Sequence, residues 1–188
     1  LCNFIVEVGP SPLDRPPVTV TAGGREVEVV PDRAADTLLH VFKTAVDPYL
    51  GHISYFRVIT GTVERDIHLT NGRTGDDERL RNVMSLQGGE SVDVDLLPAG
   101  DIGAVAKLHA TLTGDTLSAA GRATAPAIGF PIPVLEMAVT ARARADEDKL
   151  ANALHRILHE DPALPGTPHP HPPQTPHTTQ DPRPGTAC

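Results

Sequence analysis

The chain has no tryptophan, and its 188 residues include only four phenylalanines and two tyrosines. Any core must therefore be built from Val, Leu and Ile. Cysteine is nearly absent: Cys2 and Cys188 offer neither a disulfide framework nor a metal quartet, and they read as two free thiols of a reducing, cytoplasmic compartment. No apolar run is long enough to cross a bilayer, and no basic segment precedes an apolar one as in a secretory leader, so no membrane partner is expected. Positive charge is also short, with 16 Lys and Arg against 24 Asp and Glu for a formal charge of −8. That balance excludes a general phosphate-binding surface and a DNA partner, and it confines any RNA contact to a local basic patch. The reactive motifs are missing as well. There is no Gly-rich loop ending in Lys-Ser or Lys-Thr, no Asn-Lys-x-Asp, no HExxH and no G-x-S-x-G.

What is present reads as many short strands. Leu1–Val8 places Leu1, Phe4, Ile5 and Val8 at helical spacing and stops at Gly9-Pro10, as the last turns of a helix that begins upstream. Ser11–Pro17 reads as a stiff extended connector. Val18–Val30 holds two alternating runs around Gly23-Gly24, a hairpin signal. The most informative stretch is 38–62. There Leu38–Val46 and His52–Val58 flank the breakers Asp47-Pro48-Tyr49-Leu50-Gly51, with Phe56 and Val58 on one face and Tyr55, Arg57 and Ile59 on the other. Further strands are expected at 67–70, 78–86, 91–97 (Val92, Val94 and Leu96 on a buried face), 102–108 and after the turn at 113–117. Polar or Gly-containing turns separate them, and no long helix intervenes. Such a pattern predicts a closed or nearly closed antiparallel β-barrel over 18–124. After a proline-punctuated passage, Val134–Ala143 reads as a strand. Asp146–Glu160 reads as a helix with acidic residues in its first turn and a Leu150, Leu154, Ile157, Leu158 stripe. Beyond Leu164 the chain has no Leu, Ile, Val, Phe or Tyr and is rich in Pro and His, so 165–188 is expected to be disordered or polyproline-like.

The words FKT, DPYLG and YFRV with the following Gly61, then Glu78-Arg79, AGDIG at 99–103 and TGDTL at 113–117, resemble in order the second domain of the elongation factor G family. Phe130-Pro131-Ile132-Pro133 and Glu160-Asp161-Pro162 are similar to that family's passage into its third domain. The resemblance implies four parts. Residues 1–17 are the end of a GTP-binding domain and linker, 18–124 a translation-factor-type barrel, and 125–164 one strand and helix of an incomplete ferredoxin-like α+β domain. Residues 165–188 are a tail in which a frame change replaces the family's continuation. It further implies a parent translational GTPase using GTP and Mg²⁺ to move tRNA and mRNA on the ribosome, with the barrel as inter-domain relay and contact to small-subunit rRNA. Paralogues without translocase activity and ribosomal protection proteins of the tetracycline-resistance type share this region. Without the resemblance, a stand-alone RNA- or protein-binding barrel and a partly folded pseudogene product stay open.

Asp47, Asp101 and Asp115 sit beside Gly or Pro in turns, where Asp bonds its own backbone, so structural roles are favoured over acid–base chemistry. His155 and His159 stand four apart on the helix, a chelating spacing. With no Glu beside the first, they read as surface or packing residues. His169, His171 and His177 in the tail carry little specificity. No catalytic, cofactor-binding or metal residue is assigned, and the residues present would not hydrolyse GTP. Lys43, Arg57, Arg73, Arg79 and Arg81 are the candidate rRNA contacts. The alternative is a solvated face balanced by Asp76, Asp77 and Glu78. Phosphate contacts position without reading sequence, so a small patch would suffice.

Overall fold

The computed structural model describes residues 1–164 apart from Pro48, Gly89, Glu136 and Ala138, and the expected disordered tail lies outside the described residues. The chain opens with helix α1 (Cys2–Val8), all of it exposed. The connector is less extended than its prolines suggest: Pro12–Asp14 is one 3₁₀ turn. Ser11 Oγ accepts a hydrogen bond from Leu13 N, and the Asp14 carboxylate accepts one from Ser11 N. Proline at the first helical position fits such a turn as readily as an extended run.

Strands β1 (Val18–Ala22) and β2 (Arg25–Val29) form the expected hairpin. Gly23 and Gly24 sit at φ 57° and 76°, the pair of left-handed residues that a tight two-residue turn requires. The long strands β3 (Leu38–Asp47) and β4 (Gly51–Thr60) pair along their whole length. They are followed by β5 (Thr62–Glu64), β6 (Ile67–Asn71), β7 (Asp77–Leu80), β8 (Val83–Gln87), β9 (Glu90–Val94), β10 (Leu96–Pro98), β11 (Ile102–Ala106), β12 (Thr116–Ser118) and β13 (Ala123–Thr124).

These strands make an antiparallel sheet in the order β7-β6-β12-β3-β4-β11-β8-β9, a small β10-β5 pair and a β13-β1-β2 sheet. The large sheet curls around one apolar face as a half-barrel. Leu39, Val41, Phe56, Val58, Leu69, Leu80, Val83, Val105 and Leu117 meet on that face, with Val63 and Leu97 of the small pair. Among the described residues no ladder joins β7 to β9, so two edges remain where full closure would have none. On the outer face of β3 and β4, Leu38 and Ile59 pack against Val20 and Ala123 of the three-stranded sheet.

Two expected strands are each broken in two. Leu80 and Val83 are both fully buried in one core. Residues three apart cannot share a face of one strand, so the chain breaks at Arg81-Asn82 into β7 and β8. Likewise 91–97 breaks at Asp95, where Leu97 turns into the core and Val92 and Leu96 remain exposed. Strands β5 and β13, three and two residues long, carry no sequence pattern of their own.

Among the described residues no strand forms at 134–143. Val134, Leu135, Met137 and Val139 are exposed, and no neighbouring strand offers the hydrogen bonds a lone strand needs. A 3₁₀ turn at Arg144–Asp146 leads into α2 (Glu147–Glu160), the helix expected from its stripe. It lies against β3, where Val46 N donates to Glu160 Oε1 at 2.6 Å.

Candidate functional site

One irregularity decides where the basic side chains point. Val41 pairs with Phe56 and Lys43 with Tyr55, so Phe42 is an extra residue in β3. Strict alternation from the buried Val41 would send Lys43 into the core. The bulge resets the alternation, and Lys43 emerges on the outer face with its Nζ 5.5 Å from the centre of the Tyr55 ring. Arg57 is on the same face, between His40 and Ile102 on the adjoining strands.

Beside Arg57 a cavity of about 600 Å³ opens between the Pro12–Val18 connector and the outer face, with Phe42, Ile59, Ile102 and Pro126 in its walls. His40 lines it too. Burial lowers the pKa of His40, and the nearby Asp115 charge opposes that only in part.

The five candidate rRNA contacts do not form one cluster. Lys43 and Arg57 are neighbours, but Arg79 lies on edge strand β7, with β6, β12 and β3 between it and β4. At about 4.8 Å per strand, that is roughly 19 Å along the sheet. Arg79 is paired with Asp66 at 2.9 Å, and Arg81 is exposed in the break after β7. Arg73 is committed elsewhere. Its Nε and Nη2 donate to Asp115 at 2.7 and 2.8 Å, and Nη2 also donates to Ala110 O at 2.7 Å. The hydrogen bond to Asp115 raises the guanidinium pKa further.

The balancing acids are correspondingly Asp66 and Asp115. Asp77 pairs with His68, and Glu78 is buried. Asp115 sits at the centre of a polar knot. It accepts from Arg73, from Asn71 Nδ2 at 3.0 Å and from Leu112 N at 2.9 Å. Burial would raise its pKa, but those donors together with the Arg73 charge outweigh burial and hold it below the ordinary carboxylate value. Glu78 accepts from His109 N, Ala110 N and Thr111 Oγ1. Asn71, fully buried, accepts from Arg73 N and Thr74 N. Together these fasten the 107–115 segment onto β6 and β7. Sequence reasoning overlooked Asn71 and misplaced Glu78. The available signal was Glu78 standing in phase with Leu80, two residues apart on one strand face.

Asp115 is thus structural, as is Asp47, whose Oδ1 accepts from Tyr49 N and Leu50 N at 2.8 Å each. These two backbone bonds, Leu50 first, lower its pKa. The Gly23-Gly24 turn leads into a strand, not a helix, and does not fit a phosphate cradle. That turn therefore offers GTP and Mg²⁺ no fitting residues. Among the described residues no group of three or more His, Cys, Asp or Glu side chains could hold a metal ion, and no helix is long and apolar enough to cross a membrane. His155 is exposed and His159 half-buried, as surface and packing residues: His159 lies between His155 and His52, and burial, then the two neighbouring imidazoles, lowers its pKa.

With this geometry in view, known proteins bear directly on the fold. The family model described as elongation factor G domain 2 matches residues 38–120, and that described as elongation factor G domain III matches 130–172. Proteins named elongation factor G from Fervidobacterium nodosum and Thermotoga neapolitana are each 36% identical over 166 and 167 residues respectively, in both cases 87% of this chain. The chain spans only 24% of either relative. A crystal structure of a Thermus thermophilus protein superposes with a TM-score of 0.69 at 26% identity, covering 87% of this chain and 23% of that one.

Proposed function

The chain belongs to the elongation factor G family, and from that premise we propose that its half-barrel is a footing on small-subunit rRNA within a ribosome-bound translational GTPase. The supporting observation is order: second-domain sequence, then third-domain sequence, on a backbone that follows a solved chain at 26% identity across both regions. In this reading residues 1–17 close a nucleotide-binding domain, 18–124 form the relay, and 125–164 begin the third domain. GTP hydrolysis, Mg²⁺ binding and translocation of tRNA and mRNA belong to the intact parent in the cytoplasm, and no step of that chemistry runs through residues of this chain.

Within the relay, Lys43 and Arg57 carry the rRNA contact, because the bulge at Phe42 puts both on one exposed face with the Tyr55 ring between the strands. Arg79 and Arg81 make a second, separate contact along edge strand β7. Arg73 contributes rigidity, its charge being met by Asp115. Cosedimentation of the chain with small ribosomal subunits across a salt series tests this. Binding should weaken as salt rises, because phosphate contacts release counterions. It should fall about thirtyfold in the Lys43→Glu, Arg57→Glu double variant, on the basis that each of the two lost contacts is worth on the order of 1 kcal/mol. Unchanged binding by that variant, with the circular dichroism spectrum intact, refutes the assignment.

A further inference from the structure

We propose that Asn71-Gly72 is a site of spontaneous deamidation and that the knot around Asp115 governs its rate. Asn3, Asn82 and Asn152 precede Phe4, Val83 and Ala153, whereas Asn71 precedes a glycine, which has no Cβ to hinder the approach of its nitrogen to the asparagine side chain. The reaction needs only solvent. Gly72 N gives up its proton and attacks Asn71 Cγ, the Cγ–Nδ2 bond breaks, and Nδ2 leaves as ammonia. Water then opens the five-membered imide at one of its two carbonyls, leaving aspartate, or isoaspartate with the main chain rerouted through Cγ. The glycine cannot be exchanged for a slower neighbour, because a Cβ on it would collide with Ala123 O. Packing of the turn against β13 thus keeps the labile pair in the chain.

The fold restrains both reacting groups. Gly72 N, the nucleophile, donates to Thr116 O at 2.9 Å. The leaving nitrogen Nδ2 donates to Asp115 Oδ2 at 3.0 Å and to Thr111 Oγ1 at 3.3 Å, while Oδ1 accepts from Arg73 N at 2.9 Å and Thr74 N at 3.2 Å. Both polar atoms of a fully buried side chain are therefore engaged. Swinging Cγ onto Gly72 N breaks these bonds, so the reaction runs from a locally opened state and its rate follows the population of that state.

The product closes less well than the starting residue. A carboxylate oxygen takes the place of Nδ2, 3.0 Å from Asp115 Oδ2, and sets two like charges together in a buried position where a donor had been. Thr111 cannot compensate, because its hydroxyl proton is given to Glu78 Oε1 at 3.0 Å. Isoaspartate also lengthens the main chain at the residue that pairs with Leu117 of β12. Opening favours deamidation and deamidation favours opening, a one-way change that accumulates with the age of each molecule.

Mass-spectrometric peptide mapping of the full chain, aged in mildly alkaline buffer, tests the site through the tryptic peptide 66–73. The unfolded chain in urea should deamidate at Asn71 at least tenfold faster than at Asn82 or Asn152. Native wild type should react at Asn71 at least tenfold more slowly than the unfolded chain. Asp115→Ala, which releases Nδ2 and loosens the knot, should react at least fivefold faster than native wild type. A smaller difference in any of the three comparisons overturns the proposal. Should Asp115→Ala fail to fold by circular dichroism, wild type in urea just below its unfolding midpoint decides: the Asn71 rate must rise with urea, and a rate that stays constant overturns the proposal.

Discussion

Replacing Asp115 by Ala removes the acceptor of four hydrogen bonds: Arg73 Nε at 2.7 Å, Arg73 Nη2 at 2.8 Å, Asn71 Nδ2 at 3.0 Å and Leu112 N at 2.9 Å. The losses are unequal. The Arg73 side chain is 46% exposed and can rehydrate, so its share is at most about 1 kcal/mol. Asn71 is fully buried and keeps Thr111 Oγ1 as a partner for the same nitrogen. The Leu112 amide, in a part-buried setting, keeps nothing. Taking roughly 1–2 kcal/mol for these two donors together brings the expected cost of Asp115→Ala to about 1–3 kcal/mol, with Asp115→Asn near half of that.

The pH dependence follows from the sign of the shift. The folded pKa lies below the ordinary 3.8, so this stabilisation is fully present above that value and is lost as pH falls through the folded one. Urea unfolding followed by circular dichroism should give a constant gap between wild type and Asp115→Asn from about pH 8 to pH 5, shrinking below about pH 4. A variant within about 0.5 kcal/mol of wild type at neutral pH, or a gap that persists in acid, refutes the account; the threshold is the ordinary spread of surface substitutions.

Glu78→Ala leaves Thr111 without an acceptor in a buried setting and His109 N and Ala110 N without one in a part-buried setting, and should cost about 2 kcal/mol in the same assay. Gly103→Ala would put a Cβ 2.2 Å from Leu97 Cδ1 and 3.0 Å from the Phe56 ring. The repacking should lower stability by about 1–3 kcal/mol, visible as a lower urea midpoint at unchanged slope. In hydrogen exchange, amides of α2 should exchange well before those of β3 and β4, because no α2 side chain is fully buried and Leu154, Ile157 and Leu158 remain over a third exposed. Strong protection across 150–158 contradicts this.

The long strands were legible because β-branched and aromatic residues alternate there and the breakers between them are unambiguous. The Gly23-Gly24 hairpin and the α2 stripe were legible for similarly local reasons. The divided strands were not: a break at Arg81-Asn82 is needed only because Leu80 and Val83 share one core, a fact of tertiary packing. The strand expected at 134–143 had the right pattern and no partner, and pattern alone does not supply the ladder. At the candidate site the identities of Lys43 and Arg57 were visible. Their common face was not, since it depends on the extra residue Phe42. Arg73 looked as available as Arg79 until Asp115, 42 residues later, was found holding it.

Strand β12 has three residues yet bonds on both sides, to β3 at Leu38–His40 and to β6 at Thr70 and Asn71. During synthesis the β3–β4 hairpin can zip as soon as Thr60 has emerged, since its pairing is local. The β6–β7 hairpin has no place to dock until Thr116–Ser118 arrives to bridge it to that first hairpin. Two of the sheet's eight strands must therefore wait, apolar face uncovered, for a wedge made late in translation. Joining distant segments is the slow step in such topologies, so mutations in those three residues should delay folding far more than their length suggests.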